Sequence, residues 1–254
     1  GAAACFVYSL PITALAGLTT MLAVLGVPPA AGMLLATLVC AAYTAGGGMW
    51  ADMMTDTVQF GLMSVSLAVA LPLALDLVGG FGALAALPAG HLTSTGGASP
   101  WLRLSWVCAA LTIFVEPFFY QRIFASKDAR DVRKAMLVGI VLWAAYDWAV
   151  TMMGLLARVA VDRGLLSAAT EGRESLVALS LLALPVGLKG LFVAGVLAAA
   201  MSSVDSYSLL ASGNLTYDIL RPLRPRPLPD RVLIRLTRIG VVVVLVAGAA
   251  VALL

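Results

Sequence analysis

Seven apolar runs, each about as long as a bilayer is thick, follow one another along the chain: about 2–25, 30–48, 56–78, 101–120, 135–157, 188–212 and 232–254. A hydrocarbon core of about 30 Å takes roughly 20 helical residues to cross. The runs are continuously apolar and do not alternate with a period of two, so they predict helices rather than the strands of a barrel. The Leu/Ala-rich stretch 176–184, ahead of Pro185, is too short to span and reads as a surface helix. Between spans, "GGFGALAALPAGHLTSTGGASP" (79–100) predicts a flexible loop, in which His91 is a solvated residue rather than a ligand. The segment "RPLRPRPLPD" from Arg221 is too proline-rich for a helix and predicts extended chain.

Composition turns these runs into membrane spans. The chain of 254 residues is 61% hydrophobic and 11% charged, with a mean hydropathy of +1.01. A soluble domain is about half apolar and about a quarter charged, so this much apolar surface exceeds what the chain's own core can hide. The expectation is an all-α, polytopic membrane helix bundle: a single transmembrane domain over 1–254 with about seven transmembrane helices. Charge then orients it. Of the 16 Lys and Arg, eleven (Arg122 to Lys134 and Arg221 to Arg238) edge the loops on one side and five edge the other, with none in mid-span. The richer side is cytoplasmic by the positive-inside rule, and the arginines of the segment that starts at Arg221 are expected against anionic headgroups, making membrane lipid a partner. Cys5, Cys40 and Cys108 fall inside apolar runs at spacings that suit neither a metal nor a disulfide framework. The sequence holds no nucleic-acid module, phosphate loop or catalytic constellation, so neither a nucleic-acid partner nor an enzyme is expected. It opens on Gly1 without a signal peptide and stops inside an apolar run, so both ends read as cut.

Against this background the acidic residues stand out. Asp56, Asp76, Glu116, Asp147 and Asp205 fall within or at the edges of spans, where a central carboxylate costs about 2.5–3.5 kcal/mol on insertion scales and is functional by default. Asp76, near Gly79–Gly80, reads as solvated; Asp147, between Tyr146 and Trp148, reads equally as a structural or a functional group. Glu116 precedes Pro117, which breaks or kinks a helix and frees carbonyls, a common way to build a substrate or ion site. On a helix Ala199, Ser202, Ser203 and Ser206 share one face, with Asp205 on its flank. Serines in membrane helices readily bond their own i−4 carbonyl. With a carboxylate added, the set becomes an oxygen-only cage suited to a hard cation such as sodium.

Three ordered segments carry a family likeness. "YTAGGGMWADMMTDTVQ" (Tyr43–Gln59) resembles the sodium/solute symporter pattern Y-T-x-x-G-G…T-D-x-x-Q. "YQRIFASKDARDVRKA" (Tyr120–Ala135) resembles that family's Q-R…A-R segment, and "LPVGLKGLFVAGVLAAAMSSVDS" (Leu184–Ser206) its P-x-G-L-x-G-L…M-S-S-x-D-S signature. The resemblance implies a LeuT-type fold, two inverted five-helix repeats with a site at the membrane midplane, of which the seven runs look like core helices three to nine. It implies a principal sodium site using the Ala199 carbonyl and the Ser202 and Ser203 hydroxyls. A second ion site, in members that have one, matches Asp56, Asp205 and Ser206. Asp205 stands where such members often have serine or threonine, which makes that site more anionic or lets a proton replace the ion. On the substrate side the matches are Glu116, Pro117 and Phe119, the last as an aromatic gate.

Core helices one, two and ten have no counterpart, so the resemblance implies an internal fragment whose partners include those missing helices of the same full-length protein. The implied function is a sodium-coupled secondary transporter (a symporter), importing a small organic solute, whether amino acid, sugar, carboxylate or vitamin. It would work by alternating access in the cell inner (plasma) membrane, with sodium ion as its cofactor and no organic one. The rival expectation is a membrane-embedded sensory or regulatory module with a symporter-like domain.

Overall fold

The structure is a computed structural model that describes residues 26–252 apart from 89, 94 and 168–171; the expected span 2–25 lies outside the described residues. Those residues form helices and loops with no strand. The first helix, α1 (Pro29–Leu77), runs through two expected spans at once. It bends at Gly48, whose backbone (φ 59, ψ −151) is one that a side chain would oppose. Residues 49–55, expected as a loop between the spans 30–48 and 56–78, are therefore helical. After α1 come a 3₁₀ turn (Phe81–Ala86), α2 (Pro100–Ala110), a second 3₁₀ segment (Leu111–Val115) and α3 (Pro117–Ala125). Then follow α4 (Ala129–Asp162), α5 (Gly172–Ala183), α6 (Val186–Asn214), which ends in a π-helical turn (Leu215–Leu220), and α7 (Asp230–Ala252). Local chemistry sets several of these ends. The Ser99 hydroxyl accepts from Leu102 N at 3.2 Å and Asp128 Oδ1 from Asp131 N at 2.8 Å, each capping the helix that follows. The segment 221–229 is non-helical, as its prolines require. Among the described residues, five stretches are long and apolar enough to cross a membrane: Ala30–Leu77, Pro100–Ala125, Ala129–Asp162, Val186–Leu220 and Asp230–Ala252.

Two compact units divide the chain, Gly1–Ser66 with Gly190–Leu254, and Leu67–Lys189. In the first, Met33 and Cys40 of α1, Val204 and Leu209 of α6, and Val241, Leu245 and Ala249 of α7 form a buried core. Small residues bring the helices close. A Cβ on Gly195 of α6 would lie 2.1 Å from Ser66 Oγ of α1, and one on Gly240 of α7 would lie 2.3 Å from Ser212 Oγ of α6, the close backbone approach that membrane helices use. The Ser212 hydroxyl donates to the Thr237 carbonyl across that second contact.

In the second unit, Met153, Leu156, Ala157 and Ala160 of α4 are buried along with Val177 and Leu179 of α5. The short helix expected at the surface thus has a buried face, with Ser180 satisfied by its own Leu176 carbonyl at 2.8 Å. The end of α1 is fixed here too. Gly79 (φ +87) and Gly80 (φ +79) turn the chain, and the Arg163 guanidinium donates to the Val78 carbonyl. Asp147 is exposed on α4. All of the largely apolar α2 is exposed, as is the wholly apolar stretch 135–145 of α4. Such helices need lipid or further protein around them.

Candidate functional site

The bend at Gly48 and the regular helix beyond it put Asp52 and Asp56 one turn apart, on one face of α1. Asp205 and Ser206 of α6 meet them. The Ser206 hydroxyl stands 2.9 Å from Asp52 Oδ1 and 3.3 Å from Asp56 Oδ2. Having one proton, it donates to one carboxylate at a time, and the shorter contact is the stronger. Asp205 is fully buried; it accepts from the Tyr43 hydroxyl and, through Oδ1, from Ser206 N at 2.8 Å. Neither donor is charged. One oxygen from each of Asp52, Asp56 and Asp205 lies within 4.8 Å of the others, with Asp52 and Asp205 buried and Asp56 half-buried. Three carboxylates so close repel one another strongly in a medium of low dielectric. A cation among them removes that repulsion, and an all-oxygen donor set fits sodium in type.

Of the residues expected from the sequence, Asp56, Asp205 and Ser206 are thus brought together. Ala199, Ser202 and Ser203 gather differently. The Ala199 carbonyl accepts from Ser202 Oγ at 3.0 Å and faces Ser203 Oγ at 3.5 Å, so three oxygens converge on one turn of α6. Neither hydroxyl bonds a carboxylate of the cluster; both turn back onto their own helix. The hydropathy pattern does not single out Asp52, which falls in a supposed loop, nor does it give Tyr43 a role. The signal available for Asp52 is its i, i+4 spacing to Asp56, which has meaning only if the helix continues through 49–55.

Glu116, Pro117 and Phe119 lie in the other unit. The stretch Pro100–Ala125 is broken at Glu116, whose backbone is extended (φ −75, ψ 112), and α3 restarts with Pro117 in its first turn. The break leaves the Phe114 carbonyl to the Tyr120 hydroxyl, which donates to it at 2.6 Å. Phe118 and Phe119 meet edge to face, with centroids 5.9 Å apart, and the Arg122 guanidinium sits 3.4 Å from the Phe118 ring centroid.

Known proteins resemble this chain in sequence and in fold. The sodium/pantothenate symporter of Escherichia coli (strain K12) is 26% identical over 252 residues, 96% of this chain and 51% of that protein. The osmoregulated proline transporter OpuE of Bacillus subtilis (strain 168) is 27% identical over 219 residues, 85% of this chain and 44% of that protein. Among solved structures, the substrate-bound outward-open state of a Na+-coupled sialic acid symporter matches with a TM-score of 0.87. It covers 98% of this chain and 56% of that one at 20% identity, a likeness that carries the fold alone, which is LeuT-type. The chain spans about half the length of the curated relatives it matches. Those relatives are transporters rather than enzymes, and the apolar helices make this a multi-pass membrane protein. The profile of the sodium:solute symporter family matches residues 4–254, and the chain belongs to that family.

Proposed function

We propose that this chain is the central part of a sodium-coupled symporter that imports a small organic solute by alternating access across an inner (plasma) membrane. The observation that carries the reading is the meeting of Asp56 on α1 with Asp205 and Ser206 on α6, joined by Asp52, in a buried all-oxygen cluster. Sodium is the cation of choice for a LeuT-type transporter of this family. The Ala199 carbonyl with the Ser202 and Ser203 hydroxyls is the principal site in this reading. Its remaining ligands come from core helices of the whole protein that this chain does not include. The acidic cluster is a second ion site, and Glu116, Pro117 and Phe119 at the broken helix face the solute.

Coupling follows from electrostatics. An ion transmits its gradient only if it binds one conformation better than another. With a cation present, the carboxylates of α1 and α6 are held together; without it they repel, and any arrangement that separates them is favoured. The ion therefore stabilises the conformation in which the two helices close on it. The test is sodium-gradient-driven uptake by the whole protein in vesicles, screened over amino acids, sugars, carboxylates and vitamins. Ser203→Ala removes one neutral oxygen ligand and is expected to raise the sodium concentration for half-maximal uptake about fivefold, the equivalent of about 1 kcal/mol. Unchanged sodium dependence removes Ser203 from the site, and uptake indifferent to the sodium gradient overturns the coupling.

A further inference from the structure

The restart of α3 after the break presents the positive end of a half-helix inside a membrane span. In transporters with discontinuous helices, such ends face anionic groups of the substrate. Here the position already carries an anion of its own. Glu116 is the N-cap residue of α3, yet its side chain caps no backbone N–H. It forms no side-chain hydrogen bond or ion pair with any described residue, and its Oε1 is buried without a partner. Arg122, the cation nearest in sequence, lies over the Phe118 ring instead. A carboxylate held at a helix break, sealed on one oxygen and unmatched by a donor, repels a second anion and calls for a charged N–H donor.

We propose that Glu116 receives a protonated nitrogen of the transported solute, so that the substrate is an amine-bearing molecule and not a sugar or a simple carboxylate. This rests on the reading of the chain as part of a solute symporter and names the class of solute that the broken helix selects. Because the carboxylate has no donor of its own, a nitrogen that still has hydrogens serves it better than a quaternary one. The aromatic surroundings suit the same guest. Phe118 already takes a guanidinium on its face, and Phe119, one turn on from Glu116 and 38% exposed, adds a second ring.

The experiment uses the purified whole protein in sodium buffer and follows its thermal unfolding by tryptophan fluorescence. The probes are pairs that differ at the amine: proline with cyclopentanecarboxylate, β-alanine with propionate, and glucosamine with glucose. The expected result is that at least one amine-bearing member binds about tenfold or more tightly than its counterpart. Glu116→Gln should then erase that preference by weakening the amine member alone, and Glu116→Asp, which keeps the charge, should retain part of it. Three results overturn the inference: no amine-bearing probe binds, the two members of each pair bind alike, or Glu116→Gln weakens both members equally, as a purely structural residue would. The sodium-induced shift of the wild-type protein, recorded without solute, reports on the ion reading separately. Lost amine preference with that shift intact sinks this inference alone; an absent shift sinks the ion reading.

Discussion

Asp205 and Glu116 are both carboxylates inside membrane spans, and they are handled in opposite ways. Asp205 sits within an unbroken helix, fully buried, holding the Tyr43 hydroxyl and Ser206 N–H and facing two further carboxylates. Glu116 sits at a break, partly open, with no donor of its own. The first is part of a network built from the chain's own side chains, in which three acids and a serine meet. The second lacks even its hydrogen bonds. A polar group whose surroundings are finished can hold a small ion of fixed geometry, whereas one left open suits a guest that brings its own donors.

The largest expected effect tests the first half of that contrast. Asp205→Ala removes a charged oxygen ligand, and contacts to charged groups are worth about 1.5–3 kcal/mol. The sodium concentration for half-maximal stabilisation of the whole protein against heat should rise about 10- to 100-fold. Gly195→Ala acts at the packing of the same two helices and comes next. Its Cβ would lie 3.3 Å from Met63 Cα as well as 2.1 Å from Ser66 Oγ. The serine can rotate, but the backbone cannot, so overpacking should lower stability by about 1–3 kcal/mol. The melting midpoint without sodium checks this. If the sodium response weakens in parallel, the spacing of α1 and α6 sets the ion geometry; if it does not, the cluster tolerates a small separation.

Much of this was legible in residue pattern. Most of the long apolar helices follow from apolar length, although 30–48 and 56–78 run together as α1; the break at Glu116–Pro117 follows from proline's missing N–H, and the cluster of Asp56, Asp205 and Ser206 from the family motifs. Asp52 was not, for a physical reason. Three consecutive glycines at 46–48 and the polar residues after them look like a loop to any hydropathy window. The chain instead spends one glycine, Gly48, on a bend and continues as a helix, which turns Asp52 inward. Tyr43 was equally hidden, because a tyrosine hydroxyl's partner lies 162 residues away and only the folded chain brings it near. The serines show the converse. Ser202, Ser203 and Ser206 share a helical face in the sequence, but only Ser206 reaches across to α1, while the other two close on the Ala199 carbonyl.

The smallest expected effect tests the second half of the contrast. Tyr120→Phe keeps the ring and deletes the hydroxyl that donates to the Phe114 carbonyl at 2.6 Å. That carbonyl lies just before the break, where Pro117 offers no N–H and Glu116 is extended. Losing a single neutral hydrogen bond costs about 1 kcal/mol, so the melting midpoint should fall only slightly. Glu116 lies between the two bonded residues, and its carboxylate is held in place by little else. Amine binding should therefore weaken by about fivefold, while the sodium response measured without solute should stay as it was, since none of Asp52, Asp56 and Asp205 is touched. A sodium response that shifts as far as it does in Asp205→Ala would mean that the break and the cluster answer to each other, and the division between a finished ion site and an open solute site would fail.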